Sequence, residues 1–122
     1  MEFARPLAAL ALAALLAGCA DPVPKERMSY VGEWRGEKGA EKMLLVIKED
    51  GYINYMRRSA NATTTIDAPI QRFDGDNVVV GFGPFNTTFV VSKAPHLDGA
   101  VWKMTVDGVE LHRSGGAGGF NA

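Results

Sequence analysis

Few side chains in this sequence have the identity and spacing that chemistry needs. Cys19 is the single cysteine, and a thiolate is the strongest nucleophile a protein offers near neutral pH. His96 stands two residues before Asp98, a spacing at which a carboxylate could orient an imidazole as a general base. Between Pro95 and Gly99, though, the pair reads first as a loop histidine beside a turn aspartate. His112 falls on the wet side of an alternating run, near Lys103 and Glu110, without a third ligand for a metal. Asp74, Asp76 and Asn77 surround Gly75 with oxygen donors, but no glutamate closes a calcium loop, so a tight turn is expected. Gly81-Phe82-Gly83 has two of the three glycines of a phosphate loop, and Pro84 follows where a helix should start. Ser29, Ser59, Ser92 and Ser114 all lie outside a Gly-X-Ser-X-Gly elbow. No nucleophile, base and orienting group assemble, so the sequence predicts a non-enzyme with no metal and no cofactor.

The chemistry Cys19 offers is of another kind. Leu7 to Ala17 is an unbroken run of alanine and leucine behind Arg5, shorter than the ~20 residues that span a bilayer and suited to the apolar region of a secretory signal. Leu16-Ala17-Gly18-Cys19 resembles the bacterial lipobox. The resemblance implies cleavage after Gly18, diacylation of the Cys19 sulfur and acylation of the new amino terminus. Two or three acyl chains would anchor the protein stably, where one gives only marginal binding. Ala20, in place of an aspartate directly after the cysteine, implies sorting to the outer membrane with the domain facing the periplasm. Asp21, one residue later, keeps the inner membrane open.

Composition narrows the rest. The chain has 122 residues, 47% hydrophobic and 22% charged, with a formal net charge of −1. That balance suits one compact domain and disfavours disorder. It also speaks against nucleic-acid binding, whose affinity comes mostly from cations neutralising phosphates. A lone cysteine excludes an internal disulfide, and with two histidines it is too sparse for structural zinc.

Four segments follow: a signal peptide at 1–18, a lipidated tether at 19–28 whose Pro22 and Pro24 read as a spacer, a β domain at 29–113, and a glycine-rich tail at 114–122. In the domain the hydrophobic period is two. Asp107-Gly108 between alternating runs predicts a two-residue hairpin with Val106 opposite Val109 and Met104 opposite Leu111, and with Trp102 on the same core face. Glu49-Asp50-Gly51 predicts a three-residue hairpin loop with Leu45, Ile47, Ile53 and Tyr55 on one face. Further short strands are expected at 30–35, 63–67, 70–73, 78–82 and 87–92. Eight or nine strands at this spacing define an all-β fold, a small antiparallel barrel or sandwich.

Gly32-Glu33-Trp34 at the first strand, with Arg113 ending the last, resembles the Gly-X-Trp opening of lipocalins. The likeness implies a barrel floor closed by Trp34 with Arg113 packed across its ring. The Gly-X-Trp-X-Gly start, central Asp-Gly hairpin and terminal Trp-Lys-Met-Thr-Val-Asp-Gly-Val-Glu-Leu are also similar to a type of short, uncharacterised proteobacterial lipoprotein domain. Trp34, Tyr55, Phe73, Phe82, Phe89 and Trp102 read as core before they read as a cavity lining, because so short a chain needs its large apolar groups for packing. Arg57, Arg58 and Arg72 could form a basic cluster for an anion or lipid headgroup, or a solvated edge against aggregation. The expected function is a membrane-anchored structural or binding domain, its partner an unidentified protein. A carrier of a small apolar or lipid ligand inside the barrel is the second reading, and an inhibitor of a secreted hydrolase the third.

Overall fold

The computed structural model describes residues 20–114. The signal segment with Cys19, and the tail from residue 115 on, lie outside the described residues. Nine strands follow a short 3₁₀ helix at Lys25–Tyr30: β1 Gly32–Lys38, β2 Glu41–Ile47, β3 Tyr52–Arg58, β4 Thr63–Asp74, β5 Asn77–Phe82, β6 Phe85–Phe89, β7 Val91–Asp98, β8 Val101–Val106 and β9 Val109–Arg113. All pair antiparallel in the order β6-β5-β4-β3-β2-β1-β9-β8-β7. The sheet curls into a half-barrel, the small lipocalin-like all-β architecture that the period of two predicts.

The curl follows from the two ends of that order. β6 and β7 are the outermost strands, yet only Val90 separates them in the chain. Phe89 pairs with Val78 on β5, and Val91 pairs with Val106 on β8, so one bent run belongs to both walls. Turn residues on either side hold this corner. The Val90 N–H donates to Asp107 Oδ1 at 2.9 Å, the Asp107 N–H returns to the Val90 carbonyl at 2.8 Å, and the Val91 N–H reaches Asn77 Oδ1 at 2.8 Å. Asp107 keeps a positive φ of 48°, which an aspartate tolerates better than most residues.

Both predicted hairpins form in the expected register. Val106 pairs with Val109 and Met104 with Leu111. Ile47 pairs with Ile53 and Leu45 with Tyr55 around a Gly51 at φ 90°. Alternation then sends Trp34, Leu45, Ile53, Met104, Val106, Val109 and Leu111 into one apolar core with Val78, Val80 and Phe89.

Three expectations are corrected. The stretch at 19–28 is not a spacer where it is described: Val23 is 7% exposed within the core, its N–H donates to Glu49 O at 2.9 Å, and Lys25–Tyr30 is helical. The prolines pre-set an extended backbone that lies along the domain instead of leaving it. The expected strands 63–67 and 70–73 are one twelve-residue β4 running through Pro69. β5 pairs with β4 only from Ile70 onward, so the missing proline N–H costs no bond there. The strand expected at 87–92 is divided at the Val90 corner, and β7 continues through Pro95, tolerated on an edge strand with register shifts.

Candidate functional site

Trp34 is fully buried, and its indole N–H donates to the Tyr30 carbonyl at 2.9 Å. Arg113 pairs with it across β1 and β9, which sends both side chains to the concave face. The guanidinium carbon lies 5.5 Å from the Trp34 ring centroid and 4.8 Å from that of Trp102, a second indole outside the predicted pair. Its Nη1 donates to the Val31 carbonyl at 3.0 Å and to the Ser29 carbonyl at 3.4 Å. Burial lowers its pKa from the ordinary arginine value, and the carbonyls and π faces offset that desolvation. Gly32 has the same focus, because a Cβ there would collide with the Arg113 stem. The glycine and tryptophan of Gly-X-Trp thus serve one arginine: one clears its path and the other lies beneath its charge.

The 3₁₀ helix covers the neighbouring wall. Tyr30 donates its hydroxyl to the Asp76 carbonyl at 2.8 Å and meets Phe73 edge to face at 5.1 Å. Arg27 lies 4.8 Å over Phe73 and 3.7 Å from Asp76. Desolvation raises the Tyr30 pKa, and it raises that of Tyr55 likewise. At another part of the concave face Arg57 pairs with Glu41, at 2.6 Å. That bond leads the causes raising its pKa.

The other candidates disperse. His96 Nδ1 lies 2.8 Å from the Ala94 carbonyl, while Asp98 pairs with Lys103 at 2.9 Å, so imidazole and carboxylate do not meet. The Lys103 ammonium lowers the Asp98 pKa. Asp76 and Asn77 spend their polar atoms on Arg27, Tyr30 and Val91, which makes this loop a stitched turn. Arg57 and Arg58 sit opposite Thr64 and Thr63 at the start of β4, whereas Arg72 is opposite Val79 near its end. They form no single cluster. Of the aromatics, Trp34, Tyr55 and Phe89 are core and Phe73 and Trp102 pack against it. Phe82 is exposed.

A broad groove of about 700 Å³ is bordered by Arg35, Leu44, Met56, Arg58, Glu110 and His112. Register places these six on the face opposite the core, across β9, β1, β2 and β3. Gly36 sits at its base, where Glu110's backbone approaches too closely for any Cβ. Alternation predicted the wet positions, and His112 and Glu110 among them. The cross-strand neighbourhood could not be read before the β1–β9 pairing was known, since those strands are distant in sequence. Comparison of the chain with family models, with curated proteins and with solved structures finds no match. Fold and surfaces therefore define a class only, a small all-β half-barrel with a filled interior.

Proposed function

We infer that the chain is a bacterial envelope lipoprotein, held to a membrane by acyl chains on Cys19, with a non-enzymatic β domain that binds a partner at its surface. The filled interior is the observation that carries this reading. Trp34, Met104 and Leu111 have no exposed surface, so the half-barrel's core does the packing work a carrier would leave to its ligand. The dispersal of His96 and Asp98 supports a binding role over a hydrolytic one. The broad groove over β9, β1, β2 and β3 is the partner site: it joins the Leu44 and Met56 side chains to Arg35, Arg58 and His112, an apolar centre with a charged border. The outer membrane, on its periplasmic side, is the expected location, from Ala20 at the sorting position.

The test has two parts. The intact chain made in a bacterial host should incorporate labelled palmitate, and Cys19→Ser should abolish incorporation and shift the protein out of the membrane fraction. Retention of label by that variant refutes the anchor. Cross-linking in whole cells should capture a protein that Leu44→Asp no longer captures. Capture unchanged by Leu44→Asp refutes the groove as the partner site.

A further inference from the structure

The tip of the β5–β6 hairpin departs from the sealed core of the concave face, as Leu97 does at the far end of β7, where it pairs with Trp102 and is 57% exposed. Val78, Val80 and Phe89 point into the core, and the same alternation sends Phe82 and Phe85 to the concave side. Yet Phe82 is 50% exposed and Phe85 80%. They pair across a Gly83-Pro84 turn and border an open groove of about 470 Å³ with Ile66, Ala68 and Thr87. From Asn77 to Ser92 the chain carries no charged residue. Polar neighbours on the hairpin itself are threonines and Asn86, which enter a lipid interface at far lower cost than charges do; the groove's one carboxylate, Asp67 on β4, accepts from Asn54 Nδ2 at 2.6 Å.

What lies beside this tip decides what it meets. The described chain begins at the border of the aromatic shelf. Asp21 packs so closely on Gly51 that a Cβ there would strike its carbonyl. The Gly51 carbonyl accepts from the Ile70 N–H at 2.7 Å, and the next residue, Gln71, donates from Nε2 to the Gly83 carbonyl at 2.9 Å. Asp21 and the Phe82–Phe85 turn are thus tied to adjacent residues of β4. The segment Asp21–Arg27 borders β4 from Ile70 to Phe73, and the aromatic shelf takes up the same strand from Thr65 to Ala68. Cys19 is two residues before Asp21, at most about 7 Å of extended chain. With Val23 docked, no slack separates an acylated Cys19 from this wall.

We propose that Phe82-Gly83-Pro84-Phe85 is a second membrane contact, which inserts its two phenylalanines into the interface of the bilayer that holds the acyl chains of Cys19. The inference rests on the anchored reading and adds an orientation to it. Phenylalanine is among the side chains that interfacial contacts bury, and the headgroup region, unlike the hydrocarbon core, can solvate the unpaired outer edge of β6. The partner groove lies on the other face of the sheet: its border residues Leu44 and Met56 alternate with the core residues Leu45 and Tyr55, whereas Phe82 and Phe85 share the side of Val80 and Phe89. One chain would be pinned at two points, with its binding face turned to the periplasm.

The test uses the full chain, purified from membranes and reconstituted into vesicles of phosphatidylethanolamine and phosphatidylglycerol. Acylation blocks the Cys19 sulfur, so an environment-sensitive fluorophore can be placed on Phe85→Cys alone, with Ser59→Cys in the β3–β4 loop as the distant control. Emission from position 85 should shift to the blue and be quenched by lipids spin-labelled near the headgroup, while position 59 shows neither effect. An intact mass with unmodified Cys19 refutes the anchor and removes the inference with it. An acylated chain in which positions 85 and 59 behave alike overturns the tip contact and leaves the anchor standing. A blue shift at 85 without lipid quenching also overturns it: if the shift follows protein density, a second copy covers the shelf, and if it does not, the chain's own acyl group does. Phe82→Ser with Phe85→Ser gives a check free of the label, in which the anchored chain should become more accessible to protease at the tip with its circular dichroism unchanged.

Discussion

Two hairpins of this sheet share a plan and differ in outcome. β8–β9 and β5–β6 are each joined by a two-residue turn containing glycine, and each sends a row of apolar side chains to the concave face. In β8–β9 the row of Met104, Val106, Val109 and Leu111 is sealed, and the turn itself is bonded to the Val90 corner. In β5–β6 the row is sealed at Val78, Val80 and Phe89 and open at Phe82 and Phe85. Burial here is therefore decided less by the hairpin's own pattern than by what the curl brings opposite it. The Asp107-Gly108 end faces the corner, and the Gly83-Pro84 end faces solvent. The first difference to test is energetic. Leu111→Ala removes a fully enclosed side chain among close-packed neighbours and should cost about 2–5 kcal/mol in urea unfolding, with Trp34→Ala at the upper end of that range. A cost near zero would mean that the core is not shared between the two walls.

The corner is the next place to break the contrast. Asp107→Ala leaves the Val90 N–H without its carboxylate acceptor and puts a Cβ-bearing residue with no side-chain hydrogen bond at φ 48°. The expected loss is roughly 1–3 kcal/mol. Asp107→Asn keeps an acceptor and tolerates the left-handed backbone, so most of the stability should return. If both variants lose the same amount, charge rather than the stitch holds the corner.

Titration sharpens the comparison without any substitution. Tyr30 and Tyr55 belong to the sealed part, and desolvation raises both pKa values above 10.0. A group whose folded pKa is raised leaves stability intact below its unfolded value and removes it as pH rises beyond that value. Unfolding should therefore become easier above pH 10.0, where the unfolded chain releases tyrosine protons that the folded chain retains. Tyr55→Phe should flatten the alkaline decline measured by urea midpoint. Tyr30→Phe should flatten it too, from a lower starting stability, because the bond to the Asp76 carbonyl is lost. The β5–β6 tip has no tyrosine and should show no such response.

These contrasts also mark how far the sequence could be read. Asp107-Gly108 and Glu49-Asp50-Gly51 gave two hairpins in register because turn chemistry and alternation are local. The spacing of Trp34 and Arg113 raised their pairing through a resemblance alone; Trp102, the second indole under the same guanidinium, was legible as core but not as its partner. Val23 was hidden among prolines that usually mark a linker, and nothing local announces that a lone valine will enter a core built from strands far along the chain. Pro69 and Pro95 misled in the opposite sense, since whether a proline ends a strand depends on which edge of it is paired. The open face of Phe82 and Phe85 was likewise unreadable, because exposure there reflects a missing neighbour.

That missing neighbour yields the smallest expected effect and the most diagnostic one. Phe85→Ser takes a large apolar group from a position already 80% exposed, so little buried area is lost and stability should change by no more than about 0.5 kcal/mol. Few apolar residues of this domain should be so indifferent. A phenylalanine that folding does not need, kept at a turn free of charge, is a liability for aggregation unless something apolar receives it. The Cys19→Ser chain, lacking its acyl chains, should therefore be less prone to aggregate once Phe85→Ser is added, as light scattering at matched concentration would show. Unchanged scattering would mean that the shelf is too small to act as an apolar surface in water, and by the same reasoning too small to hold to a bilayer.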